Sequence, residues 1–370
     1  MGIPSDRLIT IAIHTYDHAI NMKSLLERHG IEAVLQNVNL DHPVVSSGMR
    51  VRIKESELPE ALRIIENPDV FLLPESDSDD ANIILVPIDF SDYSEQACKL
   101  AFKIAAIHKS NIVLLHSFTD PIYASTLQLS DSLTYDVTGS ETRQVFMAEA
   151  DKKMSEFTTR LHELIKTGEL PPVKFRREVC EGVPEDSINA YAKENKPLLI
   201  VMGTRGADKK GREMVGSVTA EVLDTCRYPV FTVPEGMTYN NISNIKRVLY
   251  FCNLDQDDML ALERLRQLTP NQNMRVTLAN IPSKKQVDAS RPLLSLCQYC
   301  TNRYAELTFD TELLTLDHVD AEFERITQTQ HIDLIAVPNK KKSVFARLFN
   351  PGIAHRLLFH RDSPMIVIPV

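Results

Sequence analysis

The segment Ile83-Ile84-Leu85-Val86-Pro87-Ile88 is apolar at every position. A strand with one wet face alternates apolar and polar residues; a short run that is apolar on both faces suits a strand covered on both sides, as in a parallel sheet. A helix candidate follows, Ser94 to His108, and then a second apolar run, Ile112 to His116. Beyond a long segment at 120–142 come a helix from about Arg143 to Leu164, a strand Val173 to Val179, a helix Glu185 to Lys193, a strand Leu198 to Met202 and a last strand Val230 to Val233. Strands alternating with helices predict a parallel sheet with helices on both faces.

A chain of 370 residues has room for two or three such units. From about Asn244 the same order returns. Arg247 to Cys252 stands where Ile83 to Ile88 stood, Arg275 to Ile281 matches the second strand, and Asp333 to Val337 matches the fourth. The two blocks also end alike, Tyr228-Pro229-Val230-Phe231-Thr232-Val233-Pro234 against Ser363-Pro364-Met365-Ile366-Val367-Ile368-Pro369. The repeat implies two copies of one domain, at 81–236 and 244–370. Ahead of them, residues 1–66 read as a small α+β domain. It has strands at Leu8 to Ile13, Ile31 to Val38 and Met49 to Ile53, and helices at His18 to His29 and Glu57 to Ile65. Residues 67–80 hold Pro68, Pro74 and the acidic run Glu75-Ser76-Asp77-Ser78-Asp79-Asp80, which cannot build a core and reads as a linker.

The chain has twelve glycines, and Gly203, Gly206, Gly211 and Gly216 fall within fourteen residues. The pattern Gly-x2-Gly-x9-Gly-Ser follows a predicted strand and opens a predicted helix. Glycine lets backbone amides approach a phosphate without a Cβ clash, and successive amides in a turn form an anion-holding nest. A helix starting near Gly216 aims its first amides and the positive end of its dipole at the same anion. Ser217 and Thr219 add hydroxyl donors, and Arg205, Lys209, Lys210 and Arg212 raise the local potential. Asp89 lies just past the first strand, as the glycines lie just past the fourth. Ligands of open parallel sheets bind at the carboxyl ends of strands where the winding reverses. If the two strands are neighbours, Asp89 faces ribose or base while the loop takes the phosphates. The other reading of Asp89 is a carboxylate in the turn before Ser91.

These residues resemble the universal stress protein family. Ile84-Leu85-Val86-Pro87-Ile88-Asp89-Phe90-Ser91 is similar to its first strand and turn, Leu114-Leu115-His116 to its second strand, and Gly182-Val183-Pro184 to its turn into the third helix. Val201-Met202-Gly203-Thr204-Arg205-Gly206, then Gly216-Ser217-Val218-Thr219, matches its ATP-binding signature. The resemblance is strong over 82–235 and weak over 245–370. It implies doubly wound five-stranded parallel sheets of order 3-2-1-4-5, the adenine nucleotide α-hydrolase-like arrangement, with strands 1 and 4 side by side. It implies ATP, ADP or AMP as bound ligand, with Mg as an accompanying ion. The contacts would come from Pro87, Ile88, Asp89, the backbone near Ser117, Met202, Gly203, Arg205, Gly206, Gly216, Ser217, Val218 and Thr219. Family members pair through their last strands, so the two copies are expected to pack as an internal pseudo-dimer, Val230 to Val233 against Met365 to Ile368, with higher oligomers left open. Residues 7–66 loosely resemble a short bacterial signalling domain.

The second copy departs from the signature. Asn253 stands for Asp89, Pro338 for Gly203, Lys341 for Gly206 and Pro351-Gly352 for Gly216-Ser217. Proline removes an amide donor and fixes φ, so this copy is expected to bind no nucleotide in the same way.

These features point to a nucleotide-dependent signalling or stress-response protein acting on a protein partner that the sequence does not name. A slow ATPase or self-phosphorylating enzyme is the second reading, with Ser217 and Thr219 as acceptors but no paired carboxylates beside them. A nucleotide-free interaction module is the third. The net charge of -9 with no basic tract argues against nucleic acid. No apolar run is long enough for a membrane helix, and six scattered cysteines suit a reducing cytoplasm. Cys297 and Cys300 form a lone CxxC, read as two neighbours on one helical face rather than a metal site. There is no Gly-x4-Gly-Lys-Ser/Thr loop, no Gly-x-Gly-x-x-Gly fingerprint and no His-Glu-x-x-His helix.

Overall fold

The computed structural model describes residues 7–14, 16–37, 49–66, 82–119, 138–204, 216–234, 237, 245–255, 257–269, 273–282, 289–315, 319–339 and 363–370. Residues 67–80, expected from sequence to be a linker, and 120–137 lie outside them. The chain divides into two compact units, Met1–Glu75 and Ser76–Val370.

The first unit contains β1 (Leu8–His14), α1 (Tyr16–Arg28), β2 (Val34–Asn37), β3 (Met49–Lys54) and α2 (Leu58–Glu66). Its strands form an antiparallel sheet of order β1-β3-β2. Alternation on β3 buries Val51 and Ile53 with Ala19, Leu26, Ala61 and Ile64 of the two helices. The sequence pattern predicted that β2 begins at Ile31. Instead Gly30 takes a left-handed φ of 78° and Ile31 donates its N–H to the Leu26 carbonyl at 3.0 Å. Residue 31 still closes the helix, and the strand starts three residues later.

The second unit is built on one ten-stranded sheet, of order β11-β10-β9-β12-β13-β8-β7-β4-β5-β6. Its strands are β4 (Ile83–Pro87), β5 (Asn111–Phe118), β6 (Phe175–Glu181), β7 (Leu199–Gly203), β8 (Val230–Val233), β9 (Arg247–Phe251), β10 (Arg275–Asn280), β11 (Thr308–Leu313), β12 (Leu334–Asn339) and β13 (Met365–Pro369). Its helices are α3 (Asp92–His108), α4 (Thr138–Lys166), α5 (Pro184–Asn195), α6 (Ser217–Thr225), α7 (Asp257–Leu268), α8 (Ser290–Arg303) and α9 (Val319–Gln330). All neighbouring pairs are parallel except one. At the centre β8 and β13 run antiparallel, with Val230 opposite Val367, Phe231 opposite Ile366 and Thr232 opposite Met365. Two apolar strands that would each have formed an open edge are thereby covered.

The wholly apolar run at β4 is explained by its two neighbours above and below. Ile84 and Val86 enter one core with Phe102, Phe157, Val248 and Tyr250, while Ile83 and Leu85 enter another with Ile200, Val222, Leu249 and Ile335. Each core takes residues from both sides of the β8–β13 pair, so the halves share two continuous apolar layers. Local signals set the helix ends. Ser91 caps α3 by accepting the Ser94 N–H, Pro184 opens α5, and Lys109 and Lys196 close α3 and α5 in left-handed conformations. The long helix α4 begins at Thr138, five residues earlier than periodicity suggested, and the strand after it begins at Phe175 rather than Val173. Among the described residues no helix is long and apolar enough to cross a membrane.

Candidate nucleotide site

The chain winds outward from β4 to β5 and β6, then crosses back to β7 and β8 on the other side. The reversal lies between β4 and β7, which pair in parallel with Ile84 opposite Leu199 and Leu85 opposite Ile200. Continuing that register brings Ile88 level with Gly203. Asp89 and the start of the glycine loop therefore leave the carboxyl ends of adjacent strands, the place where open parallel sheets take ligands.

On the β4 side the turn is held from within. Ile88 donates its N–H to the Leu115 carbonyl at 2.8 Å, and the Ile88 carbonyl meets His116 Nδ1 at 2.7 Å. That contact requires the proton on Nδ1. Burial pushes the His116 pKa down, with the hydrogen bond to Ile88 opposing it. Asp89 is exposed, and its Oδ1 accepts both the N–H and the hydroxyl of Ser91. The carboxylate thus serves the turn that opens α3, the second of the two readings its position allowed. Phe90 between them has φ of 64°, a left-handed conformation that costs a non-glycine residue about 1 kcal/mol. Its ring lies 4.5 Å from that of His116 and 6.1 Å from that of Phe157, packing that offsets the strain. Ser117 sits on β5 opposite Cys180 of β6, half-buried.

On the β7 side the ends of the glycine loop are clasped together. Thr204 donates its N–H to Val233 at 3.1 Å, and Gly216 donates its own to Thr204 at 2.8 Å. Thr219, only 4% exposed, donates its hydroxyl to the Gly203 carbonyl at 2.9 Å. This alters two roles expected from sequence. The single hydroxyl proton of Thr219 is engaged within the loop and is not offered to a phosphate. Gly203 is required by packing: a Cβ there would lie 2.8 Å from Tyr93 Cβ and 3.0 Å from the Tyr93 carbonyl carbon. The first turn of α3 presses on the end of β7 where only glycine fits. Met202 is buried, Pro87 is half-buried, and Val218 packs against one of the two cores. Arg205, Gly206, Lys209, Lys210, Gly211 and Arg212 lie outside the described residues.

Gly216 is the N-cap of α6 and supplies no side-chain acceptor. Helix geometry leaves the first-turn amides, including those of Ser217, Val218 and Thr219, without intrahelical partners. The first turns of α3, α5 and α7 carry acidic residues, whereas those of α6 and α8 carry none. Among the described residues no side chain caps this helix end, and its positive dipole end lies at the reversal point, suited to an anion.

The second half makes matching strand-end bonds with different residues. Cys252 donates its N–H to Ala279 at 2.8 Å, and Asn280 Nδ2 donates to the Cys252 carbonyl at 2.8 Å. These are the bonds made by Ile88, Leu115 and His116 at the matching places. Leu254 has φ of 62°, as Phe90 has 64°. The turn itself is filled from inside. Asp258 is fully buried, and its carboxylate accepts the N–H groups of Asn253 at 3.0 Å, Leu254 at 2.7 Å and Asp255 at 3.2 Å. Ser94, five residues past Asp89 as Asp258 is past Asn253, occupies that place in the first half. Burial raises the Asp258 pKa to about 6. Sequence reading singled out Asn253 and Pro338 and missed this internal carboxylate, whose signal was an aspartate five residues beyond the strand-end position. Lys341, Pro351 and Gly352 fall outside the described residues.

Cys297 and Cys300 both lie on α8. Cys300 is buried with its Sγ 3.8 Å from Met259 Sδ, so it points into the core. Among the described residues no group of three or more His, Cys, Asp or Glu could hold a metal ion.

The Universal stress protein family profile matches residues 81–234. Universal stress protein MJ0531 of Methanocaldococcus jannaschii is 31% identical over 150 residues, 40% of this chain and 80% of that protein. Universal stress protein MJ0577 of the same organism is 28% identical over 155 residues, 40% of this chain and 93% of that protein. Among solved structures, a universal stress protein from Archaeoglobus fulgidus superimposes with a TM-score of 0.55 at 16% identity, covering 79% of this chain and 97% of that one. A share that large extends the fold likeness into the second half of the ten-stranded sheet. The match to MJ0531, with the profile over the half that carries the glycine loop, makes this chain a member of the universal stress protein family.

Proposed function

We propose that residues 81–236 bind an adenine nucleotide, ATP or its ADP or AMP relatives, and that the chain uses this occupancy in a signalling or stress response. The observation that carries the reading is the first turn of α6, which holds no acidic residue and has among the described residues no side-chain cap, clasped to the end of β7, the strand adjacent to the one that Asp89 follows. In this reading the amides of Ser217 and Val218, with the Ser217 hydroxyl and the backbone of Arg205 and Gly206, take the phosphates. The Asp89 carboxylate, held by Ser91, receives the ribose, and the base lies along Pro87, Ile88, Met202 and the backbone near Ser117. Thr219 and Gly203 support the loop from beneath. A Mg ion would accompany the phosphates. No covalent step is part of this proposal.

The ten-stranded sheet is read as two universal stress protein domains in tandem, 81–236 and 244–370, each of order 3-2-1-4-5 and joined as a pseudo-dimer through β8 and β13. The matching bonds of His116 and Asn280 support that equivalence. The second domain is read as nucleotide-free, since Asp258 already supplies an anion to the turn amides and repels another. The Met1–Glu75 unit is read as a separate small α+β domain.

Mass identification of nucleotide released from the purified chain, followed by titration calorimetry with ATP, tests the reading. One site per chain is expected. Two equal sites would remove the asymmetry between the halves, and no bound nucleotide and no heat with ATP, ADP or AMP would remove the proposal.

A further inference from the structure

The carboxyl ends of the strands in the two halves face opposite ends of the sheet, because β8 and β13 are antiparallel while each half is internally parallel. Helix α6 starts at the carboxyl end of β7, so its last turn lies toward the end where β12 terminates. There Asn339, the final residue of β12, donates Nδ2–H to the Leu223 carbonyl at 3.0 Å. Leu223 is buried in the last turn of α6, where carbonyl oxygens lack intrahelical donors. The same turn is braced within the first half, where Asn189 Nδ2 donates to Thr225 Oγ1 at 2.8 Å and Thr225 donates to the Glu221 carbonyl at 2.7 Å. Asn339 directly follows Pro338, the residue standing where the first half has Gly203.

We infer that Asn339 is a positioning residue for the nucleotide site of the first half: the second half uses its own strand end to anchor the far end of the helix whose near end offers amides to the phosphates. The inference rests on the proposed function. A nine-residue helix is a stiff rod of about 13 Å, so a tilt allowed at Leu223 moves the amides of Ser217 and Val218. Their geometry toward an anion is set at both ends, by the Thr219–Gly203 bond at the start and by Asn339 at the finish. A neutral amide donor at this place also complements the negative end of the helix dipole. The half that has exchanged its glycine for proline thus contributes to the site of the other.

The test uses the full-length chain, titrated with ATP by calorimetry, with amide exchange read across residues 218–226. Asn339→Ala is expected to weaken ATP binding about five-fold, the loss of one neutral hydrogen bond, and to speed exchange in α6. Asn339→Asp is expected to weaken it further, because a carboxylate then faces the carbonyl end of the helix. Asn339→Gln keeps a donor and recovers most of the affinity. Asn339→Ala binding ATP as the wild type does overturns the inference, whatever its exchange; so does Asn339→Gln binding as poorly as Asn339→Ala in a folded chain. A wild-type chain that binds no ATP instead overturns the reading of the site itself.

Discussion

Thr219 donates its hydroxyl proton to the carbonyl oxygen of Gly203 across 2.9 Å, joining the first turn of α6 to the last residue of β7. Removing the hydroxyl leaves the carbonyl at a buried position without that donor. Thr219→Val is therefore expected to destabilise the second unit by about 1–3 kcal/mol and to weaken ATP binding, while Thr219→Ser retains most of both. Urea unfolding beside calorimetric titration reads the two effects.

Gly203 is placed by contact rather than by φ. Gly203→Ala puts a methyl group 2.8 Å from Tyr93 Cβ, so α3 or β7 must shift. Overpacking of this kind costs about 1–3 kcal/mol and is expected without any nucleotide present. A lowered unfolding midpoint in nucleotide-stripped protein would bear this out; an unchanged one would mean the contact relaxes freely.

His116 and Asn280 make the same bond to the end of the neighbouring strand, at 2.7 Å and 2.8 Å. His116→Asn is accordingly expected to cost less than His116→Ala, which leaves the Ile88 carbonyl without this partner and removes the ring against Phe90. The difference should be about 1 kcal/mol. Equal losses in thermal unfolding would show that ring packing, and not the bond, is what matters there.

Asp258 gives the second half a distinct pH response. Its carboxyl titrates at about 6 in the folded chain, against an ordinary value of 3.8. Between these values the folded form keeps a proton that the unfolded form has released. Its contribution is full below about pH 4 and is lost as pH rises through about 6, a change of up to about 3 kcal/mol. His116 acts in the opposite sense, because its depressed pKa makes protonation at low pH destabilising. The comparison that isolates Asp258 is wild type against Asp258→Asn, measured by urea unfolding from pH 4 to 7. The gap between them should widen as pH falls in the wild type's favour, and a constant gap would exclude the effect.

Much of the fold was legible in one dimension. The run Ile83 to Ile88 could be read as a strand buried on both faces because burial on both faces leaves no position for a polar residue, and Gly203 stood out because few residue types allow backbone to come so close to Tyr93. The matching tails at Val230 and Met365 reflected the similar strand each half needs beside its fourth. Helix and strand ends were less legible: Ile31 took its state from the bond that closes α1 on the Leu26 carbonyl, which leaves little trace in residue type.

What the sequence determined was which segments could be strand or helix, since these follow from local polarity and chain flexibility. Only the tertiary structure decided what each site residue touches. It turned the Thr219 hydroxyl inward to Gly203, set Tyr93 against the same glycine, buried Asp258 among three amides and brought Asn339 to the end of α6. Those contacts join residues far apart along the chain, and their directions depend on how helices settle on a twisted sheet, a property no single segment carries.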